Sequence, residues 1–237
     1  MEDYKLLLAD ASAYEPIRMS IKSSLLDLKT VTDGFESSKI NFCITSQALE
    51  TDDFGYSETP DLFESKVDSS YKTAEIYNPT LPKSQLFLTS NGTTSNQLFE
   101  KSSLRIFVYD AGDQTATTAS LWSSSKHYRC LSEADKSLLY LANNIQGKRE
   151  FAIFANDRHL RKAAIQFMLP VYGTASFLAG LVLMGQLTYQ KATKLYSKWK
   201  DWDTKFVPHK SFKEVLNNER IRKVYSTSFW LCYGSKN

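Results

Sequence analysis

The stretch Phe151-Ala152-Ile153-Phe154-Ala155-Asn156-Asp157-Arg158-His159-Leu160-Arg161 passes from a short apolar run through two polar residues into helical spacing. An apolar run of this length, closed by turn-forming residues, predicts a strand over Phe151–Phe154 buried on both faces, as in a parallel sheet. A helix is expected from there through Arg161 and Ala164 to about Phe167. The chain then repeats the pattern. Leu169-Pro170-Val171-Tyr172 reads as a strand, and Gly173-Thr174 turns into an apolar helix over Ala175–Met184.

The same alternation appears upstream. Lys5–Ala9 is an apolar run ending at Asp10, with a helix expected over Pro16–Leu28. Ile40-Asn41-Phe42-Cys43-Ile44 is a second strand, leading into a helix near Thr45 or Ser46 that carries Glu50. Leu104–Tyr109 is a third strand, and Ser132 to about Asn143 a helix. Strands alternating with helices predict an α/β fold: three layers, α/β/α, around a central parallel five-stranded sheet. Residues 51–101 are rich in Ser, Thr, Asp and Asn and contain Pro60, Pro79 and Pro82. They read as a polar insertion after the second strand, with one hairpin around Gln85–Thr89. A helix near Thr188–Trp199 follows the apolar one. The expected organisation is a domain over 1–200 and a basic, aromatic extension over 201–237 packing on it.

Charge is unevenly distributed. Net charge is +3, yet residues 136–237 hold 17 Lys and Arg against 6 Asp and Glu, while residues 1–135 hold 12 against 20. A basic C-terminal part beside an acid-rich N-terminal part suits a polyanion held near bound cations. Cys43, Cys130 and Cys232 lack CxxC spacing, which points to reduced thiols in a cytoplasmic, intracellular setting and away from a disulfide framework or a Cys-based zinc site. No secretory signal is read at the N-terminus. The uncharged stretch Ala163–Gln190 is interrupted by Pro170, Gly173, Thr174 and Ser176, so it reads as core and not as a membrane span.

Four acids follow strands in this reading. Asp10 ends the first and Asp157 the fourth; Glu50 and Asp135 lie early in the helices after the second and third. In open α/β sheets, ligands bind at the carboxyl ends of strands beside the switch point, where all four could converge. Carboxylates gathered there need a positive charge between them, and oxygen-only ligands suit hard cations such as Mg²⁺ or Mn²⁺. Each acid also has a purely structural reading. Asp157 could cap the helix beginning at Arg158, Ser132 and Asp135 could form a capping box, Asp10 could be a turn or cap residue, and Glu50 could be solvated beside Asp52 and Asp53.

Leu131-Ser132-Glu133-Ala134-Asp135, the Phe151–Arg161 stretch, Leu169–Thr174 and Leu6-Leu7-Leu8-Ala9-Asp10-Ala11-Ser12 together resemble the PIN-domain nucleases. The resemblance covers roughly residues 4–50 and 104–190. It implies a Mg²⁺- or Mn²⁺-dependent endoribonuclease acting on single-stranded RNA, often as a homodimer, and leaves open an antitoxin-like inhibitory partner. It implies that Asp10, Glu50, Asp135 and Asp157 hold the metal, with Asp52 or Asp53 as alternatives for the second acid. Ser12 and Asn156 would orient carboxylates or water. Arg158, Arg161 and Lys162, and further along Lys194, Lys198 and Lys200, are candidates for substrate phosphates. Trp199 and Trp202, set among lysines, could stack on bases or pack in the core. His127, His159 and His209 share no metal-ligand spacing and read as ordinary histidines. A non-catalytic nucleic-acid-binding or scaffold protein of the same fold is the alternative.

Overall fold

The computed structural model describes residues 5–45, 86–88, 106–109, 122–148, 150–202, 211–225 and 229–230. Its order is β1 (Lys5–Ala9), α1 (Ala11–Lys22), α2 (Leu28–Ser37), β2 (Ile40–Thr45), β3 (Leu86–Leu88), β4 (Ile106–Tyr109), α3 (Lys126–Arg129), α4 (Glu133–Ile145), β5 (Phe151–Phe154), α5 (Arg158–Gln166), β6 (Val171–Tyr172), α6 (Thr174–Leu183), α7 (Tyr189–Trp202) and α8 (Phe212–Val224). The chain is mixed α/β. The strands form one sheet of six in the order β3-β4-β2-β1-β5-β6. β1 pairs in parallel with β2 and β5, β2 with β4, and β5 with β6. β3 pairs antiparallel with β4, so the sheet is mixed where an all-parallel sheet of five was expected. Apart from β3, residues 51–101 lie outside the described residues.

Alternation along the central strands sorts the core into two. Leu6 and Leu8 of β1, with Phe151 and Ile153 of β5, pack with Leu138, Leu139, Leu160 and Ala163 of α4 and α5. Leu7, Ala9, Ala152 and Phe154 point the other way, into a cluster with residues of α1, α2, α6, α7 and α8. Helices therefore cover both faces, which is why these strands read as continuous apolar runs.

The first helix differs from expectation. It begins at Ala11 and carries Pro16 in its interior, and Leu28 opens a second helix capped by Asp27, whose side chain accepts from the Lys29 amide at 2.7 Å. Of the segment after residue 201, residues 229–230 pack into the core. Trp230 is fully buried between Phe154, Phe177 and Phe35, and its Cβ would lie 2.8 Å from a Cβ added at Gly180. Those residues complete the core. Among the described residues, no helix is long and apolar enough to cross a membrane.

Candidate functional site

The chain turns in opposite directions from two adjacent strands. β1 and β5 are neighbours, and their pairing is extended by the Asp10 amide, which donates to the Phe154 carbonyl at 2.9 Å. From β1 the chain enters α1, whose Ala13 and Ile17 lie in the core of one face. From β5 it enters α5, whose Leu160, Ala163 and Ala164 lie in the core of the other. Strand order reverses between these two strands, so their carboxyl ends border a crevice of the kind that binds ligands in open α/β sheets. Asp10 and Asp157 are the residues at its lips.

A polar lock holds the crevice in shape. The Ser12 hydroxyl donates to Asp10 Oδ2 and accepts the backbone amides of Asn156 at 2.9 Å and Asp157 at 3.0 Å. Asn156 Nδ2 donates to the Ser12 carbonyl at 2.9 Å and to Thr174 Oγ1 at 2.8 Å, while its Oδ1 accepts from the Thr174 amide at 3.2 Å. Thr174 Oγ1 in turn donates to the Ala13 carbonyl. A carbonyl can only accept and a backbone amide only donate, so these partners fix which end of the Asn156 amide faces which way. Ser12, Asn156 and Thr174 thereby bind together the carboxyl ends of β1, β5 and β6. Gly173 makes room: a Cβ there would stand 2.7 Å from Asn156 Oδ1 and 2.6 Å from Arg161 Nη1.

The acids differ in how they are used. Asp10 occupies the N-cap position of α1, yet its carboxylate makes no capping bond, and the residue is buried, at 8% exposure. Asp157 does cap, its Oδ1 accepting from the Leu160 amide at 2.8 Å. Asp135 sits in the first turn of α4, where its amide donates to the Ser132 hydroxyl at 3.0 Å, so Ser132 caps this helix. Two residues further on, the Ser137 hydroxyl, which donates to the Ala134 carbonyl at 2.7 Å, is hydrogen-bonded with Thr45 Oγ1, at the end of β2, at 2.6 Å. That bond brings the start of α4 to the carboxyl edge of the sheet. Glu50, Asp52 and Asp53 lie outside the described residues. The all-carboxylate donor chemistry fits a hard cation, but among the described residues no group of three Asp, Glu, His or Cys side chains is placed to hold a metal. Asp10, Asp135 and Asp157 do not by themselves close a ligand set.

The basic candidates fall on opposite sides of the molecule. Arg158 and Lys162 are exposed on α5, whereas Lys194, Lys198 and Lys200 are exposed on α7, whose Leu195 and Trp199 belong to the opposite core. Arg161 is turned inward. Its Nη1 donates to the Ala155 carbonyl at 3.0 Å, and burial, then the nearby Arg222, lowers its pKa from the ordinary value. That side chain supports the backbone after β5 and does not present itself to a phosphate. Trp199 is fully buried and donates from Nε1 to Ser20 Oγ at 2.7 Å, and Trp202 packs against the same core. Trp199 therefore has no free face on which a base could stack.

Two features were not foreseen. Gly173-Thr174 marks a turn in the sequence, and a hydroxyl directly after a strand end is a chemical hint of a cap or a lock. His127 and His159, distant in sequence, have ring centroids 5.7 Å apart, and sequence spacing carries no trace of that pairing. In comparison with known proteins, the chain matches no family model, no curated protein and no solved structure.

Proposed function

We propose that this chain is a PIN-like, metal-dependent endoribonuclease acting on single-stranded RNA. The observation that carries the reading is the pair Asp10 and Asp157 at the two lips of the switch-point crevice, held by Ser12 and Asn156, whose side chains bond to Asp10, to the backbone of Ser12, Asn156 and Asp157, and to Thr174. The order β4-β2-β1-β5-β6 of the parallel strands, with helices on both faces, suits the three-layer PIN arrangement. Asp10, Asp135 and Asp157, together with Glu50, would hold Mg²⁺ or Mn²⁺. A cation bound there would acidify a water and neutralise charge on the phosphodiester. The chain's own contribution is positional: Ser12 fixes one oxygen of Asp10, the Leu160 amide fixes one oxygen of Asp157, and the neighbouring oxygens are thereby aimed.

The test is hydrolysis of a labelled single-stranded RNA by purified protein with Mg²⁺ or Mn²⁺. Cleavage that stops on adding EDTA and resumes on restoring the metal supports the reading. Cleavage that survives thorough chelation removes the metal from it, and RNA binding without cleavage at any metal concentration favours the non-catalytic alternative.

A further inference from the structure

Arg158 and Lys162, read from sequence as candidates for substrate phosphates, share their surface on α5 with α3. Lys126 of α3 and Arg158 and Lys162 of α5 are all exposed, and none is paired with an acid among the described residues. All three lie near the partly exposed His127 ring, which stands beside that of His159. The two helices are firmly docked. Ser125 donates to Gln166 at 2.7 Å, Trp122 stacks on Phe167 with centroids 4.4 Å apart, and Tyr128 meets the same ring edge-on. The arrangement of charges is therefore a fixed property of the fold. Unpaired like charges held together repel one another, and a bound polyanion relieves that repulsion.

We propose that Lys126, Arg158 and Lys162, with the His127–His159 pair beside them, form the track on which the phosphate backbone of a single nucleic-acid strand leaves the crevice at Asp157. This rests on the nuclease reading for the direction of the track, because Arg158 directly follows Asp157. Arg158 and Lys162 are one helical turn apart, about 6 Å along α5, a spacing that lets them meet successive phosphates of an extended strand. Burial, and then Lys162, His159, Lys126 and Arg158, keep the His127 imidazole below its ordinary pKa, and the ring adds polar and aromatic surface beside the cations. In each ring Nδ1 is buried with no hydrogen-bond partner among the described residues, which favours the N–H on Nε2. A divalent transition metal, the other ligand that two close imidazoles suggest, would face three cations. Glu133, on α4, is tied to Lys136 at 2.6 Å. Arg129 and the exposed Cys130 stand on or just after α3 and add no negative charge. The lysines of α7 cannot extend this track, since the sheet lies between the two helices.

Binding, not cleavage, tests this. Fluorescence anisotropy of a labelled single-stranded RNA is measured in EDTA across a salt series, for the wild type, for Lys126→Gln/Arg158→Gln/Lys162→Gln and for Lys194→Gln/Lys198→Gln/Lys200→Gln. Each phosphate contact contributes about 0.7 log units per tenfold salt for a single strand. The α3–α5 variant is therefore expected to lose roughly 2 units of salt slope and about tenfold or more in affinity at moderate salt, while the α7 variant stays within about twofold of the wild type. Lys126→Arg/Lys162→Arg should bind as the wild type does. An unchanged slope in the α3–α5 variant, or a wild type that binds polyglutamate and not the oligonucleotide, overturns the proposal. Binding that depends on these residues in a protein that never cleaves RNA leaves the track standing and sinks the nuclease reading instead.

Discussion

Asn156 Nδ2 donates at 2.9 Å to the carbonyl oxygen of Ser12, the acceptor that Pro16 leaves without a donor inside α1. In a helix the amide of residue 16 would bond the carbonyl of residue 12, and proline has no such hydrogen. The side chain after β5 thus fills a gap made by a proline after β1. A feature that weakens one helix becomes the attachment point joining two strand ends at the crevice.

Replacing Asn156 should therefore loosen the crevice before it unfolds the chain. In Asn156→Asp the carboxylate still accepts from Thr174 but can no longer donate to Ser12 or Thr174, and a negative charge enters beside Asp10. Leaving buried polar groups unpaired costs about 1–3 kcal/mol, which for a chain of this size lowers Tm by roughly 2–4 °C for each kcal/mol. Differential scanning calorimetry reads the shift. An unchanged Tm would show that the lock contributes nothing to stability.

Pro16 and Asn156 should also be energetically coupled. Pro16→Ala restores the amide that Ser12 lacks, so it should rescue Asn156→Ala more than it helps the wild type, where the acceptor is already occupied. A double-mutant cycle in urea should return a coupling of about 1 kcal/mol, the net worth of one hydrogen bond. Strict additivity would mean that the two residues meet without exchanging this role.

The strands of this site were legible because burial on both faces leaves a plain mark: Lys5–Ala9 and Phe151–Phe154 are apolar runs ending in polar residues, and both boundaries match the observed strands. Asp10, Ser12, Asn156 and Asp157 could be singled out because polar residues at such strand ends are confined to one edge. Less legible was everything decided by partners far along the chain. The proline of α1 suggested a later start to the helix than the one formed, because its deficit is met from residue 156. Arg161 resembled its neighbours on α5 in sequence, but its position on the helix turns it toward Ala155 and Gly173. The pairing of His127 with His159 depends on how α3 docks, which no local pattern encodes. Trp230 was counted with a basic tail, although tryptophan in such a tail is itself a hint of core packing.

Trp230 supplies a prediction about the C-terminal segment. It fills a space bounded by Gly180, Phe154, Phe177 and Phe35. Trp230→Ala should cost about 3–5 kcal/mol, as for other large aromatic truncations in cores, and Gly180→Ala about 1–3 kcal/mol from overpacking. Because both act on one space, the double variant should be less destabilised than the sum of the two. Chemical denaturation checks all three. A Trp230→Ala protein as stable as the wild type would show that residues 229–230 merely rest on the domain.

The final prediction separates the two jobs of Asp157. Its Oδ1 caps α5 through the Leu160 amide, and its charge is assigned to metal binding in the proposed function. Asparagine caps helices about as well as aspartate, whereas alanine costs typically about 1 kcal/mol. Asp157→Asn should therefore keep the wild-type Tm while losing metal-dependent RNA cleavage, and Asp157→Ala should lose both. Removing the negative charge leaves the cap geometry in place, so a loss of activity in Asp157→Asn could not be blamed on a frayed helix. Measuring Tm and cleavage side by side for the two variants gives four readings that a purely structural role cannot reproduce. If Asp157→Asn cleaves RNA at the wild-type rate, Asp157 is a helix cap and nothing more, and the crevice loses one of its two defining acids.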